Sequence, residues 1–291
     1  MKRNFAIFCS LFVAFLLFHA CDYVRNVNPP VNPAGCNAVL VKRKILVEDY
    51  TGHKCGNCPA AARELRRLDS LYPGTVIPMA VHAGYYANPV PMSNPPYPTD
   101  LRCAASTDYD NAFGNSAQGN PNGLVNRAGF GTLNFIQQWS GWGTSVAHMD
   151  SLMSDFKIDL ANAYDANLNQ VTATVTVTAV GSKASGQYNL VVLLTEDSII
   201  AEQLDYSQTP QYSSNYTFNH VLRGAINSSW GDVIFSNGYN ACDTKKKTYS
   251  NFQLSSTWKH KKCHVIAFVY DAGTASPSHY EVMQVEMKDV N

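Results

Sequence analysis

Residues 39–58 read VLVKRKILVEDYTGHKCGNC, and this stretch decides the fold of the N-terminal part of the chain. Residues 39–50 are β-branched and apolar enough to form a buried strand. A Gly52-containing turn then leads to Cys55-Gly56-Asn57-Cys58-Pro59. From Ala60 to Leu71 the apolar side chains Ala61, Leu65, Leu68 and Leu71 recur at helical spacing, which predicts an amphipathic helix. Tyr72-Pro73-Gly74 stops it, and residues 76–82 (VIPMAVH) predict a second strand. Strand, C-x-x-C, helix and strand make a βαβ unit with a dithiol at the start of its helix.

That placement suits thiol–disulfide exchange and points to a thioredoxin-like unit. Unpaired N–H groups and the positive end of a helix favour a thiolate at the first cysteine. Cys55 is therefore the expected nucleophile and Cys58 the resolving thiol, with His53 and Lys54 adding polarisable or positive neighbours. A permanent structural disulfide is the main alternative in an exported protein. A zinc site would need two more ligands at paired spacing, and the chain has no second C-x-x-C. Downstream, Pro121 in residues 119–125 (GNPNGLV) precedes a short apolar strand. It is the candidate for the proline that faces the dithiol in such units. Between these parts, residues 84–101 are rich in Tyr and Pro. They form either a lid or groove for an extended peptide, or an ordered surface insertion.

From Lys157 onward the pattern changes. Val171, Ala173, Val175, Val177 and Ala179 alternate with polar residues, the period of a half-buried strand. Further strands are predicted at residues 187–195, 219–224, 247–254, 263–270 and 281–288. A run of strands without helices implies an antiparallel immunoglobulin-like β-sandwich. A helix over residues 145–156 closes the first domain. The expected fold is thus α/β plus all-β: a thioredoxin-like domain at 36–156 and a β-sandwich at 157–291. His220, inside residues 218–224, reads as a structural histidine.

The N-terminus carries an export signal. Lys2 and Arg3 precede an apolar run from Phe5 to Phe18 that ends on His19-Ala20-Cys21. The run is shorter than the ~20 residues needed to span a bilayer, so residues 1–20 read as a signal peptide. The terminal Ala-Cys resembles a lipobox, with Cys21 as the lipid attachment site. Residues 21–35, holding Pro29, Pro30 and Pro33, form an extended lipidated tether. Six cysteines remain after Cys9 and Cys21 are set aside. The expected scheme makes Cys55–Cys58 the exchangeable pair and Cys36–Cys103 and Cys242–Cys263 structural bridges, among fifteen formal connectivities.

Lys+Arg and Asp+Glu number 22 each, so no concentrated basic surface argues for nucleic acid. No metal or other cofactor is expected. The expected partners are an exported protein or peptide, or a host surface protein, with the membrane reached through the N-terminal lipid.

Residues 47–61 (VEDYTGHKCGNCPAA), 119–127 (GNPNGLVNR) and 218–232 (FNHVLRGAINSSWGD) together resemble the twenty-eight-kilodalton outer-membrane lipoprotein family of the Bacteroidetes. The resemblance implies a thioredoxin-like domain followed by a β-sandwich, held at the outer membrane. It also implies an adhesin or receptor role as an alternative to disulfide exchange, and it makes Cys55/Cys58 and Pro121 the family's dithiol and proline.

Overall fold

The computed structural model describes residues 38–291. The signal peptide, Cys21, the tether and Cys36 lie outside the described residues. In chain order the elements are β1 (Val41–Lys42), β2 (Ile45–Thr51), α1 (Cys58–Leu71), β3 (Val76–His82), the one-turn α2 (Gly84–Ala87), α3 (Ala104–Phe113), β4 (Asn122–Val125), β5 (Gln137–Gln138) and α4 (Trp142–Asp150). Then come β6 (Met153–Ser154), β7 (Phe156–Asp165), β8 (Gln170–Ala179), β9 (Tyr188–Glu196), β10 (Ile199–Leu204), β11 (Tyr212–Phe218) and β12 (Val221–Ala225). The last four are β13 (Asp232–Phe235), β14 (Thr244–Gln253), β15 (Cys263–Asp271) and β16 (Val282–Asp289). The protein is β-rich with few helices.

One sheet organises it, in the order β16-β15-β9-β12-β3-β2-β4-β5, with β13 also on β9. β2 and β3 are parallel, as a crossover through α1 requires, and β2 and β4 are antiparallel. A second sheet, β14-β8-β7, covers one face of β9 and β15. The reason lies in the strands themselves. β8 alternates buried and half-buried residues, as an outer sandwich sheet should. β9 and β15 are buried almost throughout, because each of their faces meets a core. Val192, Leu194, Val265 and Ala267 pack toward the sandwich. Val191, Leu193, Ile266 and Phe268 pack toward α3 and the even-numbered face of β2. α1 and α4 cover the odd-numbered face, where Ala61, Leu65, Leu68, Trp142 and Val146 meet Ile45 and Val47.

The large sheet therefore runs across residue 157 and holds strands from both sides of it. Its joint is β12, paired in parallel with β3 through Val221 and Ala80 and antiparallel with β9. The helix expected over residues 145–156 ends at Asp150, and Phe156 instead opens β7, fully buried in the sandwich core. The structure adds a hairpin that the sequence pattern did not reveal, β10–β11.

The two structural bridges assigned to Cys103 and Cys263 are not formed. Both are free thiols. Cys103 caps α3, its sulfur accepting from the Ser106 N–H. Cys263 is buried at the start of β15, where its thiol meets the Lys259 carbonyl and burial pushes its pKa up to about 12. Cys242 is disulfide-bonded, to neither of these two.

Candidate functional site

Cys55 and Cys58 lie where β2 hands over to α1, joined as a disulfide with their Cα atoms 5.3 Å apart. Cys58 is the first residue of α1 and Pro59 the second, a position whose missing N–H costs a helix nothing. Cys55 sits in a turn closed by Cys55 N–H to the Gly52 carbonyl and Cys58 N–H to the Cys55 carbonyl. Asn120–Pro121 is a cis peptide. The β2–β4 ladder sets Tyr50 opposite Asn122, which brings Pro121 level with Thr51, four residues before Cys55.

Both sulfur-bearing residues are buried, Cys55 at 3% and Cys58 at 1% exposure. The cover is the β10–β11 hairpin. Leu204 N–H donates to the His53 carbonyl and Tyr206 N–H to the Gly56 carbonyl, and the Gln203 side-chain amide donates to the Cys55 carbonyl. The Tyr206 ring lies so close over Gly56 that a Cβ there would meet it at 2.5 Å. Arg63 of α1 pairs with Asp205 at 3.3 Å. The hairpin thus covers the dithiol turn.

The Tyr/Pro loop borders the same place. A Cβ on Gly52 would meet the Tyr86 backbone at 2.4 Å, so glycine is required for the loop to close on the dithiol turn. His53 is buried and stacks on Tyr97, while Lys54 turns its ammonium over the Tyr85 ring. Exposed apolar side chains on the Tyr/Pro loop and the hairpin are Tyr85 at 73%, Met92 at 96% and Tyr206 at 56% exposure.

Beneath the disulfide is a cavity with about 30 Å³ open to water, room for about two molecules at roughly 10–15 Å³ each. Asp49, Cys58, His82, Gln203, Tyr216 and His220 are among its walls. Asp49 Oδ1 and both ring nitrogens of His82 have no protein partner. Burial pushes the Asp49 carboxyl up to about 8. Burial, then the His53 and Arg223 charges, lower His82 to about 3. At neutral pH the cavity therefore holds a protonated acid and a neutral imidazole, with Cys58 also in its wall.

A folded-state pKa raised above the ordinary 3.8 means that the native protein holds the Asp49 proton which the unfolded chain releases. That contribution to stability is complete below about pH 4 and is lost as pH rises toward 8. Asp49→Asn should accordingly raise the unfolding midpoint at pH 8 and change it little at pH 4, as followed by circular dichroism. An equal effect at both would refute the raised pKa.

The structure brings Cys55, Cys58 and Pro121 into one region, and it sets Cys103, Cys242 and Cys263 apart from the dithiol. Asp49, His82 and the hairpin were not singled out from sequence. A pair of acids, Glu48 and Asp49, inside a strand that is otherwise largely apolar and leads into the dithiol turn, was the available signal for Asp49. Among the described residues no cluster of three or more His, Cys, Asp or Glu is placed to hold a metal, and no helix is long and apolar enough to cross a membrane.

A family profile described as "Outer membrane protein Omp28" matches residues 106–291. The match starts beyond the dithiol and so carries no statement about Cys55 or Cys58. No curated protein matches the chain. Among solved structures, HBP35 of Porphyromonas gingivalis is similar over 86% of this chain and 76% of its own, with 15% identity and a TM-score of 0.59. A protein from Agrobacterium tumefaciens is similar over 87% of this chain and 97% of its own, with 15% identity and a TM-score of 0.51. At such identities these likenesses concern the fold alone.

Proposed function

Because the chain belongs to the Omp28 outer-membrane protein family, and is an outer-membrane protein on that ground, we propose that it is a lipoprotein anchored through Cys21 whose N-terminal unit is thioredoxin-like and exchanges disulfides under a movable cover. The sheet order β3-β2-β4-β5, with only β2 and β3 parallel, supports a thioredoxin-like reading. So do the disulfide at the β2–α1 junction and the cis Pro121 just before β4. One observation carries the exchange reading: the disulfide is buried chiefly by a hairpin that holds it through a few hydrogen bonds. Lifting the hairpin exposes Cys55 and the backbone around it to an exported protein or peptide. The cavity beneath then supplies an acid, Asp49, that protonates Cys58 as it leaves as a thiolate.

The test is reduction of the full chain by dithiothreitol, with alkylation of the released Cys55 thiol and turnover of insulin disulfides. Labelling at Cys55 and turnover abolished by Cys55→Ser are expected. A pair that stays oxidised under excess reductant in the folded protein would refute exchange.

A second reading, an adhesin or receptor that uses the unit as a scaffold, is favoured by the sealed sulfurs together with the exposed side chains of Tyr85, Met92 and Tyr206. Its partner would be a host surface protein, and removal of residues 85–98 would then abolish attachment.

A further inference from the structure

His220 has a place in the molecule that a merely structural histidine does not need. It lines the cavity beneath Cys58, its backbone carbonyl accepts from Ala80 N–H of β3, and its φ of 59° is left-handed. Its Nδ1 lies 3.3 Å from Asp197 Oδ1. Asp197 Oδ2 lies 3.3 Å from His264 Nε2, and His264 Nδ1 lies 2.8 Å from Asp289 Oδ1. Asp289 is the exposed end, its side chain 71% accessible, against 16% for His264 and 23% for Asp197. Four groups, alternately carboxylate and imidazole, thus run from solvent on β15 and β16 to the wall of a cavity that also holds Asp49 and His82. None of the four touches the disulfide.

We propose that Asp289, His264, Asp197 and His220 form a proton path between solvent and the resolving cysteine, with His220 the group that delivers into the cavity. The proposal rests on the disulfide-exchange reading above. When a thiolate of a dithiol reductant attacks Cys55 Sγ, a bond forms to the reductant sulfur and the Cys55–Cys58 bond breaks. Cys58 leaves with the electron pair as a thiolate and takes the proton of neutral Asp49. Asp49, now a carboxylate, regains a proton through cavity water from His220 Nε2. His220 takes its replacement at Nδ1 from Asp197, which takes it from His264, and His264 from solvent beside Asp289. Each imidazole gives at one nitrogen and receives at the other, which is the chemistry that suits histidine to this work.

Burial acts to raise the Asp197 pKa, but the hydrogen bond with His264 and the His220 charge outweigh it and hold Asp197 as a carboxylate. It therefore carries the proton only in passing from one imidazole to the other. For His264, burial acts to lower the pKa, but Asp197 and Asp289 outweigh it and the pKa is raised. For His220, burial lowers the pKa, helped by His264 and Arg66 and opposed by Asp197 and Asp69. Protons are therefore held more readily at the outer histidine than at the inner one. The competing entry is the cavity mouth beside Arg66 and Tyr216, which also line it.

The experiment follows the rate of dithiothreitol reduction of the full chain across pH 5.5–8.5, expressed as the ratio of variant to wild type so that the reductant's own ionisation cancels. His220→Gln removes the inner relay. His264→Gln removes an outer one that does not line the cavity. Both ratios are expected to fall on the order of tenfold near pH 6–7, less than the ~100-fold or more of a direct general acid, and imidazole buffer should restore most of the loss. Wild-type rates for both variants at every pH would overturn the path and assign proton entry to the mouth at Arg66. A loss in His220→Gln alone, without rescue by imidazole, would overturn it in favour of local packing. A disulfide that no variant or wild type allows to be reduced would overturn the exchange reading and this proposal with it.

Discussion

Arg127→Met is expected to destabilise the protein by about 3–5 kcal/mol, the usual cost of leaving one member of a buried ion pair without its partner. Arg127 and Glu48 are both fully buried, and the guanidinium donates through Nε and Nη2 to the two carboxylate oxygens at 2.8 Å. The geometry is bidentate, which makes such pairs strong and directional. The guanidinium is also stacked among aromatic rings, 4.3 Å from the centroid of Tyr109, 5.0 Å from Phe268 and 5.1 Å from Phe113. One side chain therefore ties β4 to β2, to α3 and to β15 of the far half. Loss of Arg127 alone strands the Glu48 charge in an apolar core. At about 2–4 °C per kcal/mol for a chain of this size, the thermal midpoint should fall by roughly 10 °C in a circular dichroism melt. The double variant Glu48→Leu/Arg127→Met should regain much of that loss, since it removes the charge as well as its partner. A single variant as stable as wild type would contradict the buried pair.

Replacing residues 203–212 by a two-residue turn is expected to speed reduction of the Cys55–Cys58 disulfide by roughly 100-fold. The hairpin holds the dithiol turn through three hydrogen bonds, from Leu204, Tyr206 and Gln203. At about 1 kcal/mol each, their loss lowers the cost of opening by about 3 kcal/mol, or about two powers of ten. The change should show as the rate at which Cys55 takes up an alkylating mass label after brief exposure to dithiothreitol. The base of the hairpin, with Ala201 and Phe218 buried against Leu101 and Val221, is left in place so that the sheet stays whole. Tyr206→Ser, which removes only the ring over Gly56, should give a smaller increase in the same direction. Unchanged rates in both would mean that the hairpin is not what keeps reductant out.

The parts of this architecture that were legible are those whose local pattern has one solution. VIPMAVH at 76–82 is apolar as far as His82 and flanked by Gly74 and Gly84, and it is a strand over residues 76–82. The C-x-x-C at a strand-to-helix step could be placed for the same reason. The helix expected over 145–156 overran because Val146, Met149, Leu152 and Phe156 continue the helical spacing past the point where the chain leaves the helix. Phe156 answers to the sandwich core, a tertiary demand that spacing does not express. The β10–β11 hairpin went unread because its strands, IIAEQL and YSSNYTF, mix apolar and polar residues without regular alternation. They are held by a small apolar base around Ala201 and Phe218 and by hydrogen bonds to residues 53–56. Glu48 and Asp49 sit side by side in β2 yet point to opposite faces, one to Arg127 and one to the cavity. Sequence alone shows two acids in a strand and not their separate duties. Cysteine pairing was the least readable. Spacing says nothing about which thiols the fold brings together, and Cys103 and Cys263 serve as a helix cap and a core residue.

The seam at β12 bears on how such a protein could be taken apart or recombined. Val221 stands beside Ala80 and Leu222 opposite Thr195, so the strand belongs to both halves at once. A splice at residue 157 that kept only the first half would strip β3 of its outer neighbour and leave a bare, apolar edge open to pairing with other chains. The two halves are therefore not interchangeable cassettes, and a relative that exchanged its C-terminal half would have to bring a replacement for that single strand.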